Sequence, residues 1–301
     1  MDDFPGTRRA VENAILIAGP TASGKTAMAV DLARKSGAVI VNADSMQVYD
    51  ILNVLTARPS EAELAAAPHV LYGHVTPLRA YSTGEWLRDV ARFLQSLEPE
   101  RRFIFVGGTG LYFRALLGGL SDMPDVPSEV RERYRAMLSD TGPEALHALL
   151  AKRDPDTASL LHPRDGQRIV RALEILEASG RPIGDWQARR SKPLVDPASA
   201  EKYILQPPRE VLRQRIASRL QAMVENGALK EVETLLSLGL DPALPAMKAI
   251  GVPEFAAMLR GERTLDEALA AAITASRQYA KRQSTWFRNQ MGTGWKTVPV
   301  S

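Results

Sequence analysis

The chain has 301 residues, 45% hydrophobic and 24% charged, a globular composition able to bury a core. It contains no cysteine, which excludes disulfides and thiolate metal sites and fits a reducing cytoplasm. The net charge of +3 does not by itself identify a nucleic-acid partner, but residues 201–301 carry 14 basic against 10 acidic side chains, which puts the basic surplus in the last third and hints at an anionic ligand there.

The opening stretch "MDDFPGTRRAVEN" lacks the basic-then-apolar layout of a signal peptide. No apolar run approaches the roughly 18 residues of a membrane span, so a cytoplasmic protein without membrane contact is expected. Short apolar runs "AILIA" (14–18), "AVIVN" (38–42) and "FIFVGG" (103–108) read as buried parallel strands. Between them lie helical stretches, "GKTAMAVDLARKSG" (24–37) and "YSTGEWLRDVARFLQSLEP" (81–99). The alternation predicts an α/β fold, a parallel sheet wound with helices. Ligands then belong at the carboxyl ends of the strands, where residues 19–26, 44–47 and 107–110 fall.

From 121 the pattern changes. "SDMPDVPSEV" is a Pro-punctuated linker, and "SEVRERYRAML" places Val130, Tyr134, Met137 and Leu138 on one helical face. "GPEALHALL" begins with Pro143 at a favoured helical start. "RDGQRIVRALEILEASG" stops at Gly180, a C-terminal cap. Residues 121–200 are therefore read as an all-helical insertion into a core formed by 1–120 and 201–301, with "EKYILQ" (201–206) as the returning strand. The rest is helical: "REVLRQRIASRLQAMVENG" ends at Gly227, and "TLDEALAAAITASRQYAKRQSTWFRNQ" opens with a capping box from Thr264 to Glu267. The four histidines (His69, His74, His147 and His162) show no metal-ligand spacing.

Three features carry chemistry. Gly19, Pro20, Thr21, Ala22, Ser23, Gly24, Lys25 and Thr26 match G-x-x-x-x-G-K-[ST] between a strand and a helix. The glycines turn backbone N–H groups toward an anion, and the helix N-terminus adds partial positive charge. Lys25 supplies a point charge and the Thr26 hydroxyl a ligand for Mg²⁺, the one cofactor expected. Such a loop holds any diphosphate, so it does not name the reaction. A phosphotransferase would place a second metal-holding acid at a strand end; here "FIFVGGTG" ends without one. Next, "VNADSMQVYD" puts Asp44, Ser45 and Gln47 beyond the second strand. A carboxylate beside a bound diphosphate can take a proton from a nucleophile, and an amide such as Gln47 can read a base edge. An Asx turn is the structural reading of the same residues. Last, Arg215 and Arg219, and Arg277 and Lys281, are pairs four apart on helical faces. Bidentate guanidinium suits a diphosphate; a solvated face explains the same spacing.

The segments "GPTASGKT" (19–26), "DSMQVY" (44–49), "GGTGLY" (107–112), "RDGQRIVRALEIL" (164–176), "KAIGVPEF" (248–255) and "RQYAKRQSTWFR" (277–288) occur in this order. Together they resemble the tRNA dimethylallyltransferases, also called tRNA isopentenyltransferases, from about residue 14 to about 290. The phosphate loop is shared with many families; the other segments are the specific ones. The resemblance implies a P-loop NTPase-like fold and transfer of a five-carbon group from dimethylallyl diphosphate to the exocyclic amine of the adenine 3′ to the anticodon of tRNA. It implies Asp44 as general base, Thr109 as a positioning residue, and Lys25 with the loop amides and Mg²⁺ stabilising the departing diphosphate. Arg215, Arg219, Arg277 and Lys281 are assigned to the diphosphate. Asp44, Ser45, Met46, Gln47, Thr109, Arg131, Gln167, Arg168, Ile169, Val170, Arg171 and Lys248 are assigned to tRNA, whose reacting base is flipped into a channel. Departures are "VLTARP" (54–59) where the family shows "IGTAKP", and "PHVLYGHV" (68–75) where it shows "HHL". The zinc-finger extension of eukaryotic members has no counterpart, so a bacterial type is expected; separately, a monomer is expected.

Other readings share the loop. A small-molecule kinase would consume ATP. An adenylate isopentenyltransferase would use free nucleotide and leaves the helical insertion unexplained. A non-catalytic RNA-binding module would leave Asp44 and Thr109 idle.

Overall fold

The computed structural model of the chain describes residues 10–96, 101–188 and 190–300. The start of the N-terminal stretch, 1–9, and the end of the second helical segment, 97–99, lie outside the described residues. Two compact units are present: one runs to Leu117 and resumes at Pro193, the other is Gly118–Lys192.

The first unit begins with β1 (Ile15–Ala18), α1 (Lys25–Ser36) and β2 (Val39–Asn42), continues through α2 (Glu61–Ala66), β3 (His69–Val70), α3 (Thr83–Gln95) and β4 (Phe103–Gly107), and enters α4 (Gly110–Gly118). All strand pairings are parallel, in the order β3-β2-β4-β1-β5-β6. Central β1 sets Ile17 opposite Val106 of β4 and Tyr203 of β5 (Glu201–Leu205). Chain connections leave β1 toward both sides of the sheet, with β4 inserted beside it on one side and β5 on the other, so the crevice beyond its carboxyl end is the switch point where α/β sheets bind ligands.

β1, β2 and β4 form where apolar, β-branched-rich runs are buried on both faces, whereas β5 is half-exposed. Ile17, Ile40, Ile104 and Val106 pack against Ala29 and Ala33 of α1, whose small side chains let the helix lie close to the sheet. Trp86 of α3 is fully buried, stacks on Tyr112 of α4 at 4.0 Å between ring centroids, and donates Nε1–H to Asn42 O at 2.9 Å. Such a stack adds about 0.5–1.5 kcal/mol to area burial. The sequence did not announce β3 or β6 (Lys296–Val298), which are two and three residues long; runs that short have no readable period.

The second unit holds the rest of the helical middle: α5 (Ser128–Arg153), α6 (Pro155–Ser159), α7 (Gly166–Ser179) and α8 (Ile183–Gln187). α5 is broken at Gly142 (φ 78°), and Pro143 restarts it. Tyr134, Leu146, Leu150, Ile169, Val170 and Leu173 form this unit's own core. Gly180 N–H closes α7 on Leu176 O. Beyond β5 the first unit continues with α9 (Arg209–Glu225), α10 (Ala228–Ser237), a 3₁₀ turn at Ala246–Lys248, α11 (Val252–Leu259) and α12 (Leu265–Gln290). These helices pack with Val48, Tyr49, Leu52 and Leu55 into one cluster. The capping box of Thr264 and Glu267 is formed.

Candidate active site

The site is built on four chain segments that end at the carboxyl edge of the sheet. The first is the loop from Gly19 to Thr26. Gly24 sits at φ 89°, a conformation that favours glycine, and no side chain caps α1. The first N–H groups of α1 are therefore open to an anion. Ala22 is held at φ 63°, a left-handed conformation costing on the order of 1–3 kcal/mol, with its methyl packed against the C-terminal helical cluster. Burial lowers the Lys25 ammonium from its ordinary 10.5 to about 8; Asp44 opposes that shift and Arg219 adds to it.

The second segment follows β2. Asn42, buried, locks it: its Oδ1 accepts Asp44 N–H at 2.8 Å, and its Nδ2 donates to Asp44 O and Leu71 O at 3.0 Å each. Asp44 Oδ1 accepts Met46 N–H at 3.0 Å, the Asx turn read from sequence. The third segment, after β4, joins it: Ser45 N–H donates to Thr109 Oγ1 at 2.9 Å, and the Thr109 hydroxyl donates to Ser45 Oγ at 3.2 Å. Thr109 thus fixes the Asp44–Ser45 turn against the sheet. A Cβ at Gly108 would lie 3.1 Å from Asp44 Oδ2, so a side chain there would crowd that carboxylate.

The fourth segment is helical. Arg219 of α9 bonds Thr21 Oγ1 through Nη2, and burial lowers its guanidinium while Asp44 opposes the shift. Arg215 Nη1 lies 4.0 Å from where Gly24 would carry a Cβ. Both arginines therefore face the loop, one turn apart on one helix. Ser23 Oγ and Arg219 Nε are buried without a protein hydrogen bond among the described residues, polar atoms suited to an anion. Tyr72, Tyr112 and Tyr279 lie within the field of the same carboxylate: burial, and next the charge of Asp44, raise all three phenols above their usual range.

Several sequence-assigned residues lie elsewhere. Ile169 and Val170 are 0% and 6% exposed in the core of the second unit; they are packing residues and offer no surface to RNA. Gln167 and Arg168 of the same helix are exposed, Arg168 paired with Asp165, and half-buried Arg171 pairs with Glu174. Arg131 and Lys248 are exposed. Arg277 and Lys281 are exposed on α12, and Lys281 borders an open groove with Gln278, Arg282 and Trp286. The residue that α12 turns to the phosphate loop is Gln283, which lies about 200° around the helix from Lys281. Arg277 and Lys281 thus stand on other faces of α12 than the residue that bonds the loop. Gln47 gives both amide hydrogens to Thr56 O (2.9 Å) and Ala57 O (2.8 Å), so the two-way reading of a base edge reduces to one acceptor. Met46 packs on the C-terminal cluster.

Reasoning from sequence missed Gln283, Asn42 and the tyrosines. The signal for Gln283 was present: a polar residue on the otherwise buried Ala272, Ser276, Ala280, Phe287 stripe of α12.

Thr26, in the first turn of α1, offers one hydroxyl for a cation, and no group of three or more His, Cys, Asp or Glu among the described residues could hold one. A single protein oxygen fits Mg²⁺ carried mainly by phosphate oxygens and water.

Comparison with known proteins gives one consistent picture. The family model described as IPP transferase matches residues 47–290, and that described as isopentenyl transferase matches 12–80. The tRNA dimethylallyltransferase of Chelativorans sp. (strain BNC1) is 57% identical over 96% of this chain and all of its own. That of Rhizobium meliloti (strain 1021) is 56% identical over 95% of each. The crystal structure of the tRNA isopentenylpyrophosphate transferase from Bacillus halodurans is similar at a TM-score of 0.67 and 33% identity, covering 96% of this chain and 90% of the other. A eukaryotic dimethylallyltransferase captured acting on tRNA is similar at 0.81 and 27%, covering 96% and 74%.

Proposed function

The chain belongs to the IPP transferase family, that of the tRNA dimethylallyltransferases, and from that premise we propose that its phosphate loop holds dimethylallyl diphosphate while the five-carbon group moves to the exocyclic amine of an adenine beside the anticodon. It is a prenyltransferase acting on tRNA. The single observation that carries the proposal is the placement of Asp44 beside Gly108, in the field of Lys25 and Arg219. A base and the cations for a leaving anion share one site, and β4 ends in Gly107-Gly108-Thr109 with no acid for a transferred phosphoryl group.

The amine nitrogen bonds to the allylic carbon as the carbon–oxygen bond breaks. The bonding pair leaves with the diphosphate, and the amine proton passes to Asp44 Oδ2. Lys25, the N–H groups at the start of α1 and the two α9 arginines stabilise the charge that develops on the departing oxygen. Thr109 acts indirectly, by holding the Asp44 turn. Mg²⁺, held through Thr26, would add Lewis-acid stabilisation of the same anion.

Incubation with dimethylallyl diphosphate labelled in its carbon chain should place the label on adenine in anticodon-loop digests. Asp44→Ala should cut transfer by about 10²–10⁴-fold with tRNA affinity nearly intact. Label that stays off RNA while phosphate moves from ATP would overturn the assignment.

A further inference from the structure

We propose that Gln283 is a positioning residue of the transfer reaction: its carboxamide clamps the phosphate loop to the glycine turn after β4 and so fixes the diphosphate relative to Asp44. The inference rests on the reaction proposed above and adds a residue to it.

Gln283 is 5% exposed. Its Oε1 accepts Thr21 N–H at 2.9 Å, and its Nε2 donates to Gly108 O at 2.9 Å. Both partners are backbone groups, one in the loop that cradles the anion and the other beside the general base. The two ends call for an acceptor on one side and a donor on the other, and a neutral carboxamide supplies both at once. A Cβ at Gly108 would lie 2.2 Å from Nε2 and 3.1 Å from Asp44 Oδ2. The amide and the carboxylate therefore flank the same α-carbon, and the clamp needs glycine there. Thr21 is held from both sides, by this amide on its backbone and by Arg219 on its hydroxyl. The separation of leaving group and base is thus set by one side chain of α12. Misplacing reacting groups by about 1 Å can cost on the order of a hundredfold in rate.

The chemistry makes the clamp separable from mere packing. Gln283→Leu removes both bonds without adding charge. Gln283→Glu keeps an acceptor for Thr21 N–H, loses the donor for Gly108 O, and adds a negative charge beside the diphosphate. Steady-state kinetics with both substrates, tRNA affinity and thermal melting should be measured for each across pH. For Gln283→Leu we expect kcat to fall about tenfold or more, with tRNA affinity within about twofold and cooperative melting retained. For Gln283→Glu the KM for dimethylallyl diphosphate should rise further than for the leucine variant at neutral pH. It should recover as the pH falls toward the carboxyl's own range, because the protonated acid regains a donor and sheds its charge. Gly108→Ala, whose Cβ would press on both the Gln283 amide and Asp44 Oδ2, should lower kcat further than Gln283→Leu does.

Wild-type constants in both Gln283 variants would overturn the proposal. So would losses that track melting temperature and tRNA affinity alike at every pH, the mark of a packing role. A wild-type chain that fails to transfer label to tRNA refutes the reaction itself; one that transfers label while the variants match it refutes only the clamp.

Discussion

Lys25 illustrates how one residue's surroundings set a pH limit for the whole reaction. Its ammonium is largely shielded from water at the base of the loop, and its pKa falls from 10.5 to about 8. Below about pH 8 the side chain is charged and attracts the diphosphate; above it the free enzyme loses that charge. The KM for dimethylallyl diphosphate should therefore climb, by up to about tenfold per pH unit, from about pH 8 upward. Lys25→Arg, which cannot lose its proton in this range, should abolish the inflection. Stability runs the other way. The folded pKa lies below the unfolded one, so the penalty of the buried charge is present in full below about pH 8 and is relieved as the pH rises toward 10.5. Substrate affinity and melting temperature should accordingly diverge above pH 8, and a KM that stays flat to pH 10 would show that Lys25 does not carry the diphosphate charge.

Helices fix what single residues cannot, and α10 does so through Glu231. Its carboxylate accepts three consecutive backbone N–H groups, from Asn53 (2.9 Å), Val54 (2.6 Å) and Leu55 (3.0 Å). The next carbonyls of that loop, Thr56 and Ala57, hold the Gln47 amide three residues after Asp44. Glu231→Ala leaves those N–H groups without their acceptor and should lower stability by about 1–3 kcal/mol. Urea unfolding would read the loss, and hydrogen exchange should speed up at the amides of residues 53–55 first; unchanged exchange there would refute the anchoring. The same loop marks the limit of what the sequence could say. The phosphate loop, the Asx turn at Asp44 and the helix caps at Gly180 and Thr264 were legible because each is decided within a few residues. β1, β2 and β4 were legible from their apolar runs, and β5 as the strand that returns the chain to the sheet after the helical middle. Glu231 is 176 residues or more from its partners, and Gln283 is 262 from Thr21; no local pattern encodes such pairings. The α12 arginine and lysine show a related limit. Spacing of four gave their shared face correctly, but only tertiary packing decides which face meets the loop. Ile169 and Val170 were misread because a short motif does not separate the residues that touch a substrate from those that hold the helix.

At the scale of the whole molecule, the helical middle of the chain is inserted at one point of the α/β unit. Leu116 O accepts N–H from both Leu194 (3.0 Å) and Val195 (3.2 Å), so the chain leaves and re-enters side by side. The buried cluster that includes Tyr134, Leu150 and Leu173 belongs wholly to the inserted unit. The α/β unit keeps its sheet, its phosphate loop, Asp44, both α9 arginines and Gln283 without it. Replacing 118–192 by a short glycine–serine connection should therefore give a chain that still unfolds cooperatively, since closing a loop across adjacent ends costs little entropy. Calorimetry should find diphosphate binding within a few-fold of the full chain. If Gln167, Arg168 and Arg171 of the inserted unit meet the RNA, transfer to tRNA should fall steeply and the salt dependence of residual tRNA binding should flatten as their phosphate contacts are lost. A shortened chain that binds neither substrate, or that aggregates on expression, would mean the inserted unit holds up the α/β fold; one that transfers to tRNA at the full rate would move the RNA contacts onto the α/β unit, with α12 and its exposed Lys281 and Arg282 as the first place to look.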